Sequence, residues 1–262
     1  MLMRAIPTFA KFESGDTLKL SAKEYLLEGL DLAGKDLRIE GSGKGTRLVF
    51  ANLTGPAFAN AANLELVNLT VDCSRHGEGK GWPLIESHGE AIRLVNCRVE
   101  QRQSLSVFPD DRTLIEAAAG SETVIQGCEL YALQSVIWRV QKEAKLFIDN
   151  SLILSPGLTY SATSEESEGE VTANQSSCLH QVGVTHLVSE DEAPAVRFSF
   201  QNSIIDCGQF LVWLPLGNEE TLRKSLTYEA NQVLFLPASQ LTDNTEVEQD
   251  KPEPSSIAKR NF

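Results

Sequence analysis

Leu-Glu-Leu-Val-Asn-Leu-Thr-Val at residues 64–71 and Ile-Arg-Leu-Val-Asn-Cys-Arg-Val at residues 92–99 are two copies of one pattern. In both, apolar residues alternate with other residues around a central asparagine. Further copies lie at residues 146–153 and 198–205. An apolar period of two is typical of β-strands, whereas an α-helix repeats its apolar residues every three or four positions. These segments are therefore predicted to be strands.

The central asparagine marks a repeat that runs through most of the chain. Its anchor positions are Gly41, Asn68, Asn96, Gly127, Asn150, Gln175, Asn202 and Gln232, which are 23 to 31 residues apart. The positions four and two before each anchor, and three after it, are almost all apolar. A coil whose turns stack at the strand spacing of about 4.8 Å would align these positions into apolar columns. The pattern predicts an all-β, single-stranded right-handed parallel β-helix of about eight turns.

Each turn is predicted to hold three strands, with a bend at the anchor. Glycine adopts positive φ freely and asparagine tolerates it, so a left-handed residue is expected there. Stacked asparagines can also hydrogen-bond from turn to turn, which predicts an asparagine ladder. The expected third strands contain residues 83–85, 113–115, 135–138, 186–188 and 210–213.

Three regions follow from this pattern. Residues 1–29 are expected to form an N-terminal cap and the first strands, and residues 30–237 the β-helix. Residues 238–262 are polar and lack the periodic pattern, so they have too little apolar surface to offset the entropy of ordering and are expected to be a flexible tail.

The beginning of the chain resembles the pectate-lyase-like β-helix superfamily. The shared features are Gly15-Asp16-Thr17, Tyr25, and Leu-Arg-Ile-Glu-Gly-Ser-Gly at residues 37–43. The chain departs from that family at Lys23, where a glycine usually precedes the tyrosine turn. The resemblance covers residues 12–237 and implies a fold, not a function. The Asn-containing strands are also similar to β-helix segments attached to bacterial serine/threonine protein kinases, which implies a kinase-related signalling protein.

Composition narrows the possible partners. The formal net charge is −13, with 23 basic and 36 acidic residues. Nucleic acid binding requires clustered basic residues, so nucleic acid is not expected as a partner. No stretch of 18 apolar residues and no signal peptide is present, so membrane insertion is not expected. The chain is placed in the cytoplasm by default, unless a leader or an upstream domain precedes it.

Candidate catalytic residues come from two places. Glu86 and Glu116 are predicted on successive third strands with Arg139 one turn further, which would bring carboxylates beside a guanidinium. Asp110 and Asp111 form the one adjacent aspartate pair and would suit a hydrolase, which needs two carboxylates. All five also have a non-catalytic interpretation, as ion pairs on a solvated face or as an exposed turn.

Candidate binding residues are Trp138, Trp213 and His88. Outward tryptophans could form a platform for a sugar ring, although packing in the core or a cap is the alternative for both. No metal site or cofactor is predicted, because the cysteines and histidines lack metal-ligand spacing. Calcium is expected only if the protein is a lyase.

Two functions remain open, besides a purely structural role as a spacer between other domains. The first is a non-catalytic binding or scaffold module with a protein or polysaccharide partner, as one part of a larger signalling protein. The alternative is a carbohydrate-active protein, either a polysaccharide lyase or hydrolase or a carbohydrate-binding protein. The regular coil without a complete catalytic set favours the first.

Overall fold

The computed structural model describes residues 3–4, 12–43, 45–51, 53–75, 83–101, 113–132, 136–140, 143–162, 168–188, 195–206, 210–213 and 226–236. Every regular element among them is a β-strand. The strands are β1 (Met3–Arg4), β2 (Asp16–Leu20), β3 (Glu24–Leu27), β4 (Leu30–Asp31), β5 (Leu37–Gly41), β6 (Arg47–Ala51), β7 (Phe58–Val67), β8 (Thr70–Arg75), β9 (Ile85–Val95), β10 (Arg98–Gln101), β11 (Thr113–Glu116), β12 (Glu122–Gln126), β13 (Glu129–Ala132), β14 (Val136–Val140), β15 (Ala144–Asp149), β16 (Leu152–Ala162), β17 (Glu168–Asn174), β18 (Ser177–Val188), β19 (Ala195–Gln201), β20 (Ile204–Asp206), β21 (Phe210–Trp213), β22 (Leu226–Asn231) and β23 (Leu234–Leu236).

The strands that precede the anchors stack in parallel and form face 1 of the coil. Nine strands take part, β2, β5, β7, β9, β12, β15, β17, β19 and β22, each in register with the next. One inward column joins Leu18, Ile39, Leu66, Leu94, Ile125, Ile148, Ala173, Phe200 and Ala230. The predicted parallel β-helix is confirmed, and it begins one strand earlier than the first anchor because β2 pairs with β5.

The strands that follow the anchors form face 2, and the third strands form face 3. On face 2 the inward column runs Tyr25, Leu48, Val71, Val99, Leu130, Ile153, Cys178, Ile205 and Phe235. On face 3 it includes Phe58, Ile85, Ile115 and Trp138, all fully buried. β7 and β9 run without a break from face 3 to face 1, and β16 and β18 from face 2 to face 3.

The anchor bends have the predicted backbone conformation with one exception. Positive φ occurs at Asn68, Asn96, Gly127, Asn150, Gln175, Asn202 and Gln232. Gly41 was wrongly predicted as such a bend, because the positive φ of that turn, 116°, belongs to Gly43. Position 41 requires glycine for a different reason, namely that the structure leaves no room for a side chain. A Cβ there would lie 2.5 Å from the carbonyl oxygen of Asn68.

Side-chain hydrogen bonds between turns centre on the residue after the anchor. The amide of Asn96 donates to Oδ1 of Asn68 over 3.2 Å, but the next anchor, Gly127, has no side chain to continue an asparagine ladder. The continuous series is one residue further on, where each backbone N–H donates to the Sγ or Oγ atom of the following turn. It runs through Cys97, Cys128, Ser151, Ser176 and Ser203, all buried.

The interior is mainly aliphatic, with aromatic clusters toward both ends. Phe50 and Phe58 meet edge to face, with ring centroids 5.1 Å apart. Phe198, Phe200, Tyr228 and Phe235 form a chain of ring contacts in the last turns.

Within the part of the chain that the structure describes, no helix is long and apolar enough to cross a membrane. The predicted tail, residues 238–262, lies outside the described residues.

Candidate functional site

The predicted group Glu86, Glu116 and Arg139 comes together on face 3. Glu86 is in register with Glu116, and Glu116 with Arg139, so the three occupy successive turns. Buried residues precede them in the sequence, with Ile85 before Glu86 and Ile115 before Glu116. The side chains of Glu86, Glu116 and Arg139 are themselves only partly buried. They therefore point away from the core in one row.

An ion pair joins two members of this row. Nη1 of Arg139 lies 3.2 Å from Oε1 of Glu116, with 19 % of the arginine side chain and 31 % of the glutamate side chain exposed. The pair is accessible from outside, and partial burial reduces the screening of its charges by water. Both groups can still contact a ligand, since a carboxylate has about four acceptor sites and a guanidinium has five donors.

Glu86 has a weaker partner. Nε2 of His88 lies 3.9 Å from Oε1 of Glu86, and 64 % of the histidine side chain is exposed. The His88 side chain is thus beside the row and open to solvent, where the sequence placed it as a binding candidate. Imidazole is the side chain whose charge changes most readily near neutral pH, so this contact is an ion pair only when His88 is protonated.

The row begins with two acidic residues directly opposite each other, Glu86 and Glu116. Like charges directly opposite each other on neighbouring strands are destabilising. Elsewhere opposite charges alternate, as in the cross-turn ion pairs Arg38–Glu65, Arg93–Glu122 and Arg98–Glu129. A second acidic pair in register, Asp72 and Glu100, lies beside Arg47 and Arg98, and these two arginines also contact Glu24 and Glu129. Among the described residues, Glu116 pairs with Arg139, and Glu86 has His88 beside it.

The same register continues beyond Arg139 into residues that the sequence did not connect with it. Backbone pairing places Tyr160 opposite Arg139, His186 opposite Tyr160, and Trp213 opposite His186. We call the six positions Glu86, Glu116, Arg139, Tyr160, His186 and Trp213 the Glu86 column. The signal for the last three was their distance from the anchors: Tyr160, His186 and Trp213 stand ten or eleven residues after Asn150, Gln175 and Asn202.

The remaining candidates divide into two groups. Trp138 is fully buried in the core, so its indole cannot stack on a bound sugar, and the core packing that the sequence also allowed is the one observed. The backbone of Trp213 lies in β21, but its side chain is outside the described part of the structure. Asp110 and Asp111 lie outside the described residues altogether.

Metal binding finds little support in the described residues. No group of three or more His, Cys, Asp or Glu side chains that could hold a metal ion is present among them. Calcium takes six to eight oxygen ligands, and Glu86 and Glu116 supply carboxylates from two side chains, one of which is paired with Arg139. The column alone does not fit a calcium site.

A second depression lies on face 1. It has a volume of about 400 Å³ and is lined in part by Asp36, Arg38, Asn63, Glu65 and Arg93. These charged and amide groups already contact one another or their neighbours: Asn63 donates to Asp36 over 2.7 Å, and Arg93 to Glu122 over 2.9 Å. Several polar groups that line the depression are therefore already engaged in hydrogen bonds within the protein.

Comparisons with known proteins identify the fold. No family model matches the chain. No curated protein matches it either. Among solved structures, the chain is similar to an arginine-to-alanine variant of AlyGC, an alginate lyase of the PL6 family, with a TM-score of 0.60 and 16 % sequence identity. The match covers 88 % of this chain but 36 % of the lyase, so this chain spans about a third of that enzyme's length. The likeness shows the parallel β-helix fold, and the resemblance to kinase-attached segments stays a prediction.

Proposed function

We propose that this protein is carbohydrate-active and binds an extended polysaccharide along the Glu86 column. The observation that carries the proposal is the register that aligns Glu86, Glu116 and Arg139 on one outward row. The likeness to a polysaccharide lyase over 88 % of the chain supports a carbohydrate as the ligand. It favours this function over the non-catalytic scaffold that the sequence suggested.

The dimensions of the column suit an elongated ligand. Its six positions are separated by five steps of the strand spacing, which gives a length of about 24 Å. A glycan lying across the turns would meet the side chains of Glu86, Glu116 and Arg139 at three successive steps. Carboxylate and guanidinium groups make charge-assisted hydrogen bonds with hydroxyl groups, and such bonds are stronger than neutral ones. Face 3 thus offers an extended series of polar contacts rather than a deep pocket.

A second candidate function is cleavage of the bound glycan. Glu86 and Glu116 stand one turn apart, about 4.8 Å at the backbone. Retaining glycoside hydrolases use two neighbouring carboxyl groups, one as general acid and one as nucleophile, and Glu86 and Glu116 are the pair that would take these roles. Elimination, the lyase reaction, is the competing chemistry, and calcium would then be the added cation.

Binding is tested with the full chain and a panel of neutral, amino-sugar and uronic-acid oligosaccharides, by isothermal titration calorimetry. We expect measurable binding to at least one of them and a loss of about tenfold or more in Arg139→Ala and Glu116→Gln. Arg93→Ala and Glu122→Gln are the matched controls, because they alter a similar cross-turn pair on face 1. Equal effects of both sets, or no binding at all, would refute the proposal.

Cleavage is tested on the oligosaccharides that bind. Release of reducing ends without an unsaturated product indicates hydrolysis, and an unsaturated product that requires calcium indicates elimination. Glu86→Gln and Glu116→Gln should abolish hydrolysis if the pair is catalytic. Intact oligosaccharide after prolonged incubation would leave binding alone as the function.

A further inference from the structure

Among the described residues, the charged groups at the start of the Glu86 column are unbalanced. Two carboxylates, those of Glu86 and Glu116, stand beside one guanidinium, that of Arg139. The nearby imidazole of His88 adds a positive charge only when it is protonated. Without a proton on His88, these described groups have a net charge of −1.

The hydrogen-bonding character of the same groups is equally one-sided. An ionised carboxylate only accepts hydrogen bonds, so a ligand that bonds to Glu86 or Glu116 must supply the donor. Sugar hydroxyl groups and protonated amino groups are donors. The carboxylate of a uronic acid is another acceptor, and placing it beside Glu86 would bring like charges together without a hydrogen bond.

The charge of the whole chain acts in the same direction. The formal net charge of −13 produces a field that repels polyanions and attracts cations. At contact distance in water, one pair of like unit charges changes an equilibrium by roughly fivefold. A polyuronate presents one carboxylate per sugar, so the penalty recurs along the chain.

We infer that the ligand of the Glu86 column is a polysaccharide without acidic groups, whose hydroxyl or ammonium groups donate to Glu86 and Glu116. The inference depends on the proposed function and narrows it to a substrate class. The inferred ligand also differs in charge from alginate, the polymer named for the structural neighbour, which is an alginate lyase. A bound glycan of this class would be cleaved by hydrolysis rather than elimination, because elimination requires a uronic acid.

The test compares the affinities of the full chain for three oligosaccharides of equal length. They are a neutral β-glucan, a chitosan oligosaccharide that carries protonated amino groups, and an alginate oligosaccharide. We expect the neutral and amino-sugar ligands to bind at least fivefold more tightly than alginate at low ionic strength. A preference for the chitosan oligosaccharide over the glucan identifies ammonium groups as the donors, and equal affinity identifies hydroxyl groups. The difference in affinity between these two ligands and alginate should decrease as salt is added, since salt screens the repulsion of alginate.

The variant Glu86→Gln locates the effect. It removes one negative charge and adds an amide donor while it keeps the size of the side chain, so alginate affinity should rise several-fold relative to the neutral glucan. Glu122→Gln removes the same charge from face 1 and should leave that ratio unchanged. Tighter binding of alginate by the parent protein, or an equal change of the ratio in both variants, overturns the inference and leaves the proposed function intact. Failure to bind all three ligands overturns both.

Discussion

The backbone N–H of Cys128 donates a hydrogen bond of 3.0 Å to Oγ of Ser151, which stands one turn later in the coil. Ser151 in turn donates its hydroxyl proton to the carbonyl oxygen of Asp149 over 2.8 Å. Its own backbone N–H is bonded to Oγ of Ser176, which belongs to the next turn. Each hydroxyl therefore satisfies a buried backbone donor of the preceding turn, and the bends are joined into one network.

Ser151→Ala should destabilise the protein by about 1–3 kcal/mol, because the buried N–H of Cys128 would lose its acceptor. Urea unfolding followed by circular dichroism measures this change. Ser177→Ala is the matched control, since Ser177 lies on the outer side of face 2 between Leu152 and Ile204 and is only half-buried. Equal loss of stability in the two variants would show that the hydroxyl series has no special role.

The bend at Asn150 should discriminate between small and branched residues. Its φ is 46°, where glycine is unstrained and a β-branched residue is a strong outlier. We expect Asn150→Gly to stay within about 1 kcal/mol of the parent and Asn150→Val to lose at least about 2 kcal/mol. At Lys145, an exposed position on β15, we expect the opposite order of stability. Lys145→Val should be more stable than Lys145→Gly there, because valine suits a strand better than glycine. A valine tolerated at both positions would contradict the bend assignment.

The coil was predictable from the sequence because two independent signals agree at each turn. The alternation around Leu66 and Leu94 determines which side chains point inward, and the anchor determines where that alternation changes phase. Even Gln175 and Gln232, whose amide side chains are less usual at positive φ, adopt the expected conformation. Gly41 was misread because a glycine in a repeat can serve either conformation or close packing, and the sequence does not distinguish the two.

Face 3 was harder to predict, because no anchor sets the phase of its strands. In β14, Ile137 and Trp138 are adjacent and both buried, so alternation alone did not show which one faces the core. The first half of the Glu86 column was found by comparing spacings. In its second half, third strands were predicted at residues 186–188 and 210–213 but none at Tyr160, because β16 passes from face 2 to face 3 without a bend.

The buried thiols should make stability fall at alkaline pH. Burial raises the pKa of Cys178 to about 12, from an ordinary value of 9.0. Between these values the unfolded chain releases the thiol proton and the folded chain retains it. The free energy of unfolding therefore decreases by about 1.4 kcal/mol per pH unit for this thiol, and the contribution is intact below pH 9.

Unfolding in urea at several pH values between 8 and 11 measures that slope. Cys178→Val removes the thiol and should make the slope shallower, whereas Ile153→Val, its neighbour in the same column, should keep the parent slope despite some loss of stability. In both variants Cys73 still contributes to the decrease of stability with pH, because burial raises the pKa of its thiol as well. An unchanged slope in Cys178→Val would contradict this assignment.

Gly89 connects the fold with the candidate site. It lies in β9 between His88 on face 3 and the face 1 part of the same strand, and a Cβ at this position would overlap the backbone carbonyl of Ala62 in β7. Gly89→Ala must push the two strands apart where their register already shifts, between Ala61 and Asn63. Overpacking of this kind costs about 1–3 kcal/mol.

The same substitution should weaken ligand binding, since Glu86 and His88 lie within three residues of the forced displacement. We expect Gly89→Ala to lower both the free energy of unfolding and the affinity for the best oligosaccharide, each measured at a temperature where the variant remains folded. Gly55→Ala is the control, because no heavy atom beyond its chain neighbours lies within 4 Å of a Cβ there. A stable variant with full affinity would show that β7 and β9 can separate at this point without moving Glu86, and the position of the site would then not depend on this close approach.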